Sequence, residues 1–333
     1  MSAVRPEPHD QGDHQPSTAI TTPPTAVRVQ GLTVELPSRD RPYAAPIRAV
    51  RELDLSVPAG RVTALVGTNG AGKTTTLRTM IGALPWVAGS IEVLGTEMGA
   101  AGVAVPAGVA VVPDTPDYPD RWTARTVAGA HSTVGPVDPA LFEARLAAHQ
   151  VPPDRPVGRL SRGQLTQLAI SAALAQGPRL LILDEPLARL DPLARTELVD
   201  ELRDLMAHDD RTLLFSTHDL EGMDRFVDHL VVIADGRAIL EGDVETLCEE
   251  FLLVEQAREA KPSGESGPDL IGPTTAGGTT RGLVAVDDAA GQAPEASLRR
   301  PTMNELVTHC LRAADTSGRR APSPATTPRR GAE

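Results

Sequence analysis

Basic charge is in short supply. The chain has 333 residues, with 32 Lys and Arg against 44 Asp and Glu and a formal net charge of −12. A general nucleic-acid binder shows a net basic face, so that class is disfavoured. Cysteine is scarcer still. Cys248 and Cys310 are too few for a disulfide framework, lack metal-ligand spacing, and read as thiols in a reducing compartment. Aromatic residues make up 2% of the chain, which leaves an aliphatic core. No apolar run approaches the ~18 residues that cross a bilayer. The opening MSAVRPEPHDQGDHQP has no apolar stretch suited to a secretory leader. The expectation is a soluble cytoplasmic protein.

Proline and glycine, at 30 and 29 residues, are abundant and point to tails and linkers. Residues 1–26 are rich in Pro, Thr and Ser and bury too little apolar surface to offset ordering entropy, so they read as disordered. VRVQGLTVEL (27–36) and AVRELDLSV (49–57) alternate like half-buried strands. RVTALV (61–66), GVAVV (108–112), RLLILD (179–184), TLLFST (212–217) and HLVVIA (229–234) are short apolar runs suited to strands covered on both faces. Helical patterns alternate with them: KTTTLRTMIGAL, DPALFEARLAAHQ (138–150), GQLTQLAISAALAQG and DPLARTELVDELRDLMAHDD (191–210). Two of these start with an Asp cap and Pro at the first helical position. The pattern predicts an α/β domain with a largely parallel sheet. Residues 113–162 read as an inserted helical subdomain, 254–299 as a flexible linker, 300–313 as a possible amphipathic helix, and 314–333 as a disordered tail.

Gly67-Thr68-Asn69-Gly70-Ala71-Gly72-Lys73-Thr74-Thr75 fits the phosphate-binding loop pattern, after a predicted strand and opening a predicted helix. Glycines let successive N–H groups turn inward, and the helix start adds partial positive charge. Lys73 suits the β- and γ-phosphates, and the Thr74 hydroxyl suits Mg²⁺. RLLILDEP places Asp184 and Glu185 at the carboxyl end of a strand, where ligands bind in open α/β sheets. Asp184 suits the Mg²⁺ shell, and Glu185 suits polarising a water for attack.

Between and beyond these lie LSRGQ (160–164), LARLDP (187–192) and STHD (216–219). The set, in this order, resembles the ATP-binding subunit of ABC transporters over roughly residues 27–253, with a feel of the ABC-2 exporter type. The resemblance implies a P-loop NTPase core, mainly a parallel sheet with an antiparallel β subdomain and an inserted helical subdomain. It implies two such subunits, a homodimer or a pair with a second ATPase, closed head to tail around two ATP. Ser161, Gly163 and Gln164 of one would face the nucleotide of the other, Asp191 would lie at the seam, and His218 would touch the γ-phosphate and the attacking water. It implies a separate transmembrane permease, with this chain peripheral on the inner face of the cell membrane.

Three positions depart from that pattern. Arg162 stands where a glycine is usual, either strengthening anion binding or forming a solvated surface charge. Asp114 stands where the magnesium-sensing glutamine is expected, and still offers the ion a carboxylate. The adenine-stacking position falls to Tyr43 or to Leu36. The rival reading, a soluble ABC-type ATPase on ribosomes or DNA, is disfavoured by the acidic balance and the lack of coiled-coil heptads. A regulatory ATPase remains a third reading.

Overall fold

In the computed structural model the described residues are 24–37, 45–99, 105–207, 211–223, 225–257, 270–291 and 297–317. The expected N-terminal tail therefore lies outside them up to residue 23, as does Tyr43, and Thr25 and Ala26 already belong to the first strand. The chain opens with β1 (Thr25–Leu36), β2 (Ile47–Pro58) and β3 (Val62–Val66), then helix α1 (Lys73–Met80), β4 (Ala88–Val93), β5 (Thr96–Glu97) and β6 (Val109–Val112). Next come α2 (Ala124–His131), α3 (Pro139–Ala148), α4 (Arg162–Leu174), β7 (Leu180–Asp184), α5 (Pro192–Met206), β8 (Thr212–Thr217), β9 (His229–Ala234) and β10 (Arg237–Asp243). The last part holds α6 (Val244–Glu250), β11 (Phe251–Ala257), β12 (Ile271–Ala276), β13 (Thr279–Ala285), β14 (Ser297–Arg299) and α7 (Met303–Ser317).

Three sheets result. The central one runs β10-β9-β3-β8-β7-β6, with β10 antiparallel at one edge and the other neighbours parallel. All five residues of β3 and of β7, and all six of β8 and of β9, are buried, as their uninterrupted apolar runs require. A second, antiparallel sheet, β2-β1-β4-β5, shares an aliphatic cluster with one face of the central sheet through Leu65, Ile182, Leu214 and Ile233. Between β6 and β7 there is no strand, only α2, α3, α4 and a short turn of 3-10 helix. The helix α4 is buried from Thr166 onward. Its Ala169, Ile170 and Ala173 join the core of the central sheet, while Leu168 and Ala172 join a separate cluster with Val127, Phe142 and Leu146. One helix thus ties the helical subdomain to the central sheet.

The stretch expected to be a flexible linker is folded where it is described. Strands β11, β12, β13 and β14 form a third, antiparallel sheet in the order β12-β13-β11-β14. The signal was present but weak: Ala276 pairs with Thr279 across Gly277-Gly278, whose φ angles are +58° and +80°. Two left-handed glycines are what a two-residue hairpin needs, and β-branched threonines flank them. The helix expected over 300–313 is observed as α7 and continues to Ser317; residues 318–333 lie outside the described set.

A capping box starts α7: Thr302 Oγ1 accepts from the Glu305 N–H, and Glu305 Oε2 accepts from the Thr302 N–H at 2.9 Å. The hydrogen bond from Arg299 holds the Glu305 carboxyl down at about 2 instead of 4.5. A depressed carboxylate contributes stability above its unfolded pKa and loses it as pH falls through the folded value. Urea unfolding at about pH 5 and about pH 3 is expected to show a smaller acid loss for Glu305→Gln than for the parent chain; equal losses would refute the linkage.

Candidate nucleotide site

Strand β3 delivers the chain to Gly67, where a Cβ would lie 2.4 Å from the Ile233 carbonyl oxygen of β9. Only glycine lets the loop leave the sheet that close to a neighbouring backbone. Thr68, Asn69 and Gly70 form an exposed arch, closed by the Ala71 N–H donating to the Thr68 carbonyl at 3.1 Å. Gly72 then takes φ +108°, and a Cβ there would meet the Ala49 carbonyl at 2.7 Å. Gly72 caps α1 without any side-chain hydrogen bond, and no acidic residue lies in the first turn. The first N–H groups of that helix are left for an anion.

The sequence places Lys73, Asp184, Glu185 and His218 in three distant segments, and the fold brings them together. Lys73 is 6% exposed. Its Nζ donates to the Gly67 carbonyl at 2.7 Å and sits 3.1 Å from Glu185 Oε1. The other carboxylate oxygen of Glu185 lies 2.8 Å from His218 Nδ1. The Glu185 carboxylate is thus held between a lysine and a histidine. Glu185 has φ +49°, a left-handed conformation for a non-glycine residue, the kind of local strain that concentrates at functional sites. Asp184 is the last residue of β7, and Glu185 follows it directly.

Asp184 is buried, and its Oδ1 accepts from the Thr74 hydroxyl at 3.1 Å and from the Ser216 hydroxyl at 2.6 Å. Ser216 Oγ in turn accepts from the Glu185 N–H at 2.9 Å. Sequence reasoning missed Ser216. Its signal was its place at the tip of a buried strand, beside the partner strand that carries the two acids. The Thr74 hydroxyl and Asp184 carboxylate are hard oxygen donors converging at the uncapped end of α1, a set that fits Mg²⁺. A cavity of about 230 Å³ adjoins Glu185 and His218 and is bounded by Arg195, Asp219 and Met223.

The remaining expected site residues fall into two groups. Ser161 begins α4 with a capping box, its Oγ accepting from the Gln164 N–H and the Gln164 Oε1 accepting from the Ser161 N–H, each at 3.1 Å. Gln164 Nε2 also donates to the Gln150 carbonyl at 3.1 Å, so that amide braces the turn. Asp191 caps α5, accepting from the Ala194 N–H at 3.0 Å. Ser161 and Asp191 are both exposed, as is Arg162. Asp114, expected near the magnesium ion, has an ion-pair partner in the fold. Its carboxylate is taken by Arg189, with Nη2 at 3.1 Å from both oxygens and Nε at 3.3 Å from one. The planar guanidinium thus reaches both carboxylate oxygens of Asp114. Leu36, the alternative to Tyr43, is half-buried against the cluster under β1 and β2.

Residues 50–188 match the ABC transporter family. The Nod factor export ATP-binding protein I of Rhizobium meliloti is 34% identical over 257 residues, covering 74% of this chain and 74% of that protein. The chain belongs to the ABC transporter family. The protein of the same name from Sinorhizobium fredii is 35% identical over 228 residues, covering 66% of this chain and 65% of that protein. A solved structure of the ATP-binding subunit of an ABC transporter superposes with a TM-score of 0.59 at 25% identity, covering 68% of this chain and 92% of that one. A dimeric ATP-binding cassette bound to ADP and phosphate shares the fold, with a TM-score of 0.56 at 19% identity over 65% of this chain and 98% of that one. This chain is an ABC-type ATPase with the P-loop NTPase fold, and no helix among its described residues is long and apolar enough to cross a membrane.

Proposed function

We propose that this ABC ATPase is the ATP-driven subunit of an exporter of the ABC-2 type, paired with a second copy and acting on a separate transmembrane permease from the inner face of the membrane. The observation that carries the reading is the convergence of Lys73, Thr74, Asp184, Glu185 and His218 at the uncapped start of α1. The relatives named for Nod factor export support the direction of transport. The acidic balance speaks against DNA or ribosomes as the target.

The incoming triphosphate would lie on the N–H groups of residues 70 to 74 and draw Lys73 Nζ from the Gly67 carbonyl and Glu185. Thr74 and Asp184 would hold Mg²⁺, which would supply positive charge against the negative phosphoryl group. Glu185, released from Lys73, accepts a proton from the attacking water, and His218 positions that water through its contact with Glu185. Ser161, Gly163 and Gln164 at the start of α4, with Asp191, would complete the partner's pocket. Closure then follows from a phosphate that touches both subunits.

Co-expression tests this. The chain is expected to pellet with membranes when produced with a polypeptide bearing several apolar spans of ~20 residues encoded beside it, and to stay in the supernatant when produced alone. Sedimentation with ribosomes or DNA at physiological salt, without membrane recruitment, would favour the rival reading instead.

A further inference from the structure

Arg189 sits where the helical subdomain enters and leaves the ATPase core. Its guanidinium grips Asp114, two residues beyond β6, with Nη2 3.1 Å from each carboxylate oxygen, and donates to the Thr115 hydroxyl at 2.9 Å. Its backbone carbonyl lies 3.7 Å from where a Cβ on Gly163 would stand, at the start of α4. The turn that presents Arg189 is itself fixed. Ala188 N–H donates to the Glu185 carbonyl at 3.2 Å, and Arg195 Nε donates to the Leu187 carbonyl at 3.0 Å and the Leu190 carbonyl at 3.2 Å. Asp191, two residues on, caps α5. One residue therefore meets the entry of the helical subdomain, its exit, and the turn between Glu185 and Asp191.

Exposed ion pairs contribute little on average. This one differs in geometry: a planar fork reaches both oxygens, and the side chains are 28% and 35% exposed, so the pair fixes direction as well as proximity. We propose that Arg189 is a positioning residue of the ATPase, which locks the Asp114 loop to the Glu185–Asp191 turn and so sets the orientation of the helical subdomain to the nucleotide site. The inference rests on the motor reading above, but its structural half can be read without hydrolysis.

The experiment uses the full chain with Asp114→Ala, Arg189→Ala, both together, and the exchanged pair Asp114→Arg with Arg189→Asp. Trp86 and Trp122 are the two tryptophans, so in a Trp86→Phe background acrylamide quenching reports Trp122, which is half-buried at the entry of the helical subdomain. Each single variant is expected to lower kcat by about three- to tenfold with KM for ATP changed less than about twofold, the double variant being no worse than the poorer single. Quenching of Trp122 without nucleotide is expected to rise in both singles and to fall back in the exchanged pair. Multiplying effects in the double variant, or Trp122 quenching unchanged by either single, would overturn the proposal. A parent chain with no ATPase activity but with the expected quenching pattern would instead count against the motor reading and leave the lock in place.

Discussion

Glu185→Gln is expected to lower ATP turnover by roughly 10²–10⁴-fold while ATP is still bound, the range a positioned general base commands. The substitution keeps the shape of the side chain and the hydrogen bond that the backbone N–H donates to Ser216 Oγ. An amide oxygen still accepts from Lys73 Nζ, which now lies 3.1 Å from Oε1, so the phosphate site persists. What is lost is a carboxylate able to take a proton. ATP held without hydrolysis should then keep two copies together, and light scattering with ATP and Mg²⁺ is expected to show a doubled mass that reverts when nucleotide is removed. Turnover at the parental rate would sink the assignment of Glu185 as base.

Lys73→Ala acts on the same ion pair from the other side. Its expected effect on ATP affinity or turnover is about 10²–10³-fold, typical of deleting one preorganised charge partner of a phosphoryl group. The structure adds a second consequence. Lys73 is nearly enclosed, and removing it leaves the Glu185 carboxylate with His218 alone in a site only 14% exposed on the glutamate side. Burial of an under-partnered charge is destabilising. The variant without nucleotide is therefore expected to unfold at a lower urea midpoint than the parent, while the double variant Lys73→Ala with Glu185→Ala recovers part of that loss but none of the turnover. Normal ATP binding by Lys73→Ala would refute the role of the loop.

The central sheet and the phosphate loop were readable because their signals are local. An uninterrupted apolar run such as TLLFST maps onto β8 residue for residue. Asp-Pro pairs mark the starts of α3 and α5, where Asp138 and Asp191 cap the helix. The third sheet was hidden because the Thr- and Gly-rich strands β12 and β13 look like linker when periodicity is the guide; their large apolar members, Ile271, Leu283 and Val284, are few. Arg189 was hidden for a different reason. Its partner Asp114 lies 75 residues away in sequence, and nothing in either segment announces the other. Gln164 shows the reverse case. The motif pointed outward to a neighbouring nucleotide, while the folded chain also uses its amide at home, to brace Ser161 and Gln150.

The third sheet does not hang from the cassette on a string. Phe251, Leu253, Leu283, Met303, Leu306, Val307 and Cys310 belong to the same continuous apolar cluster as Val232, Ile239 and Leu240, and burial pushes the Cys310 thiol up to about 12. The edge of the catalytic module and the edge of the folding unit therefore fall at different places along the chain. Helix α7 of the appended layer packs on strands β9 and β10, and β9 is the strand whose Ile233 carbonyl crowds Gly67. The appended layer and Gly67, the first residue of the glycine loop, thus lean on the same strand.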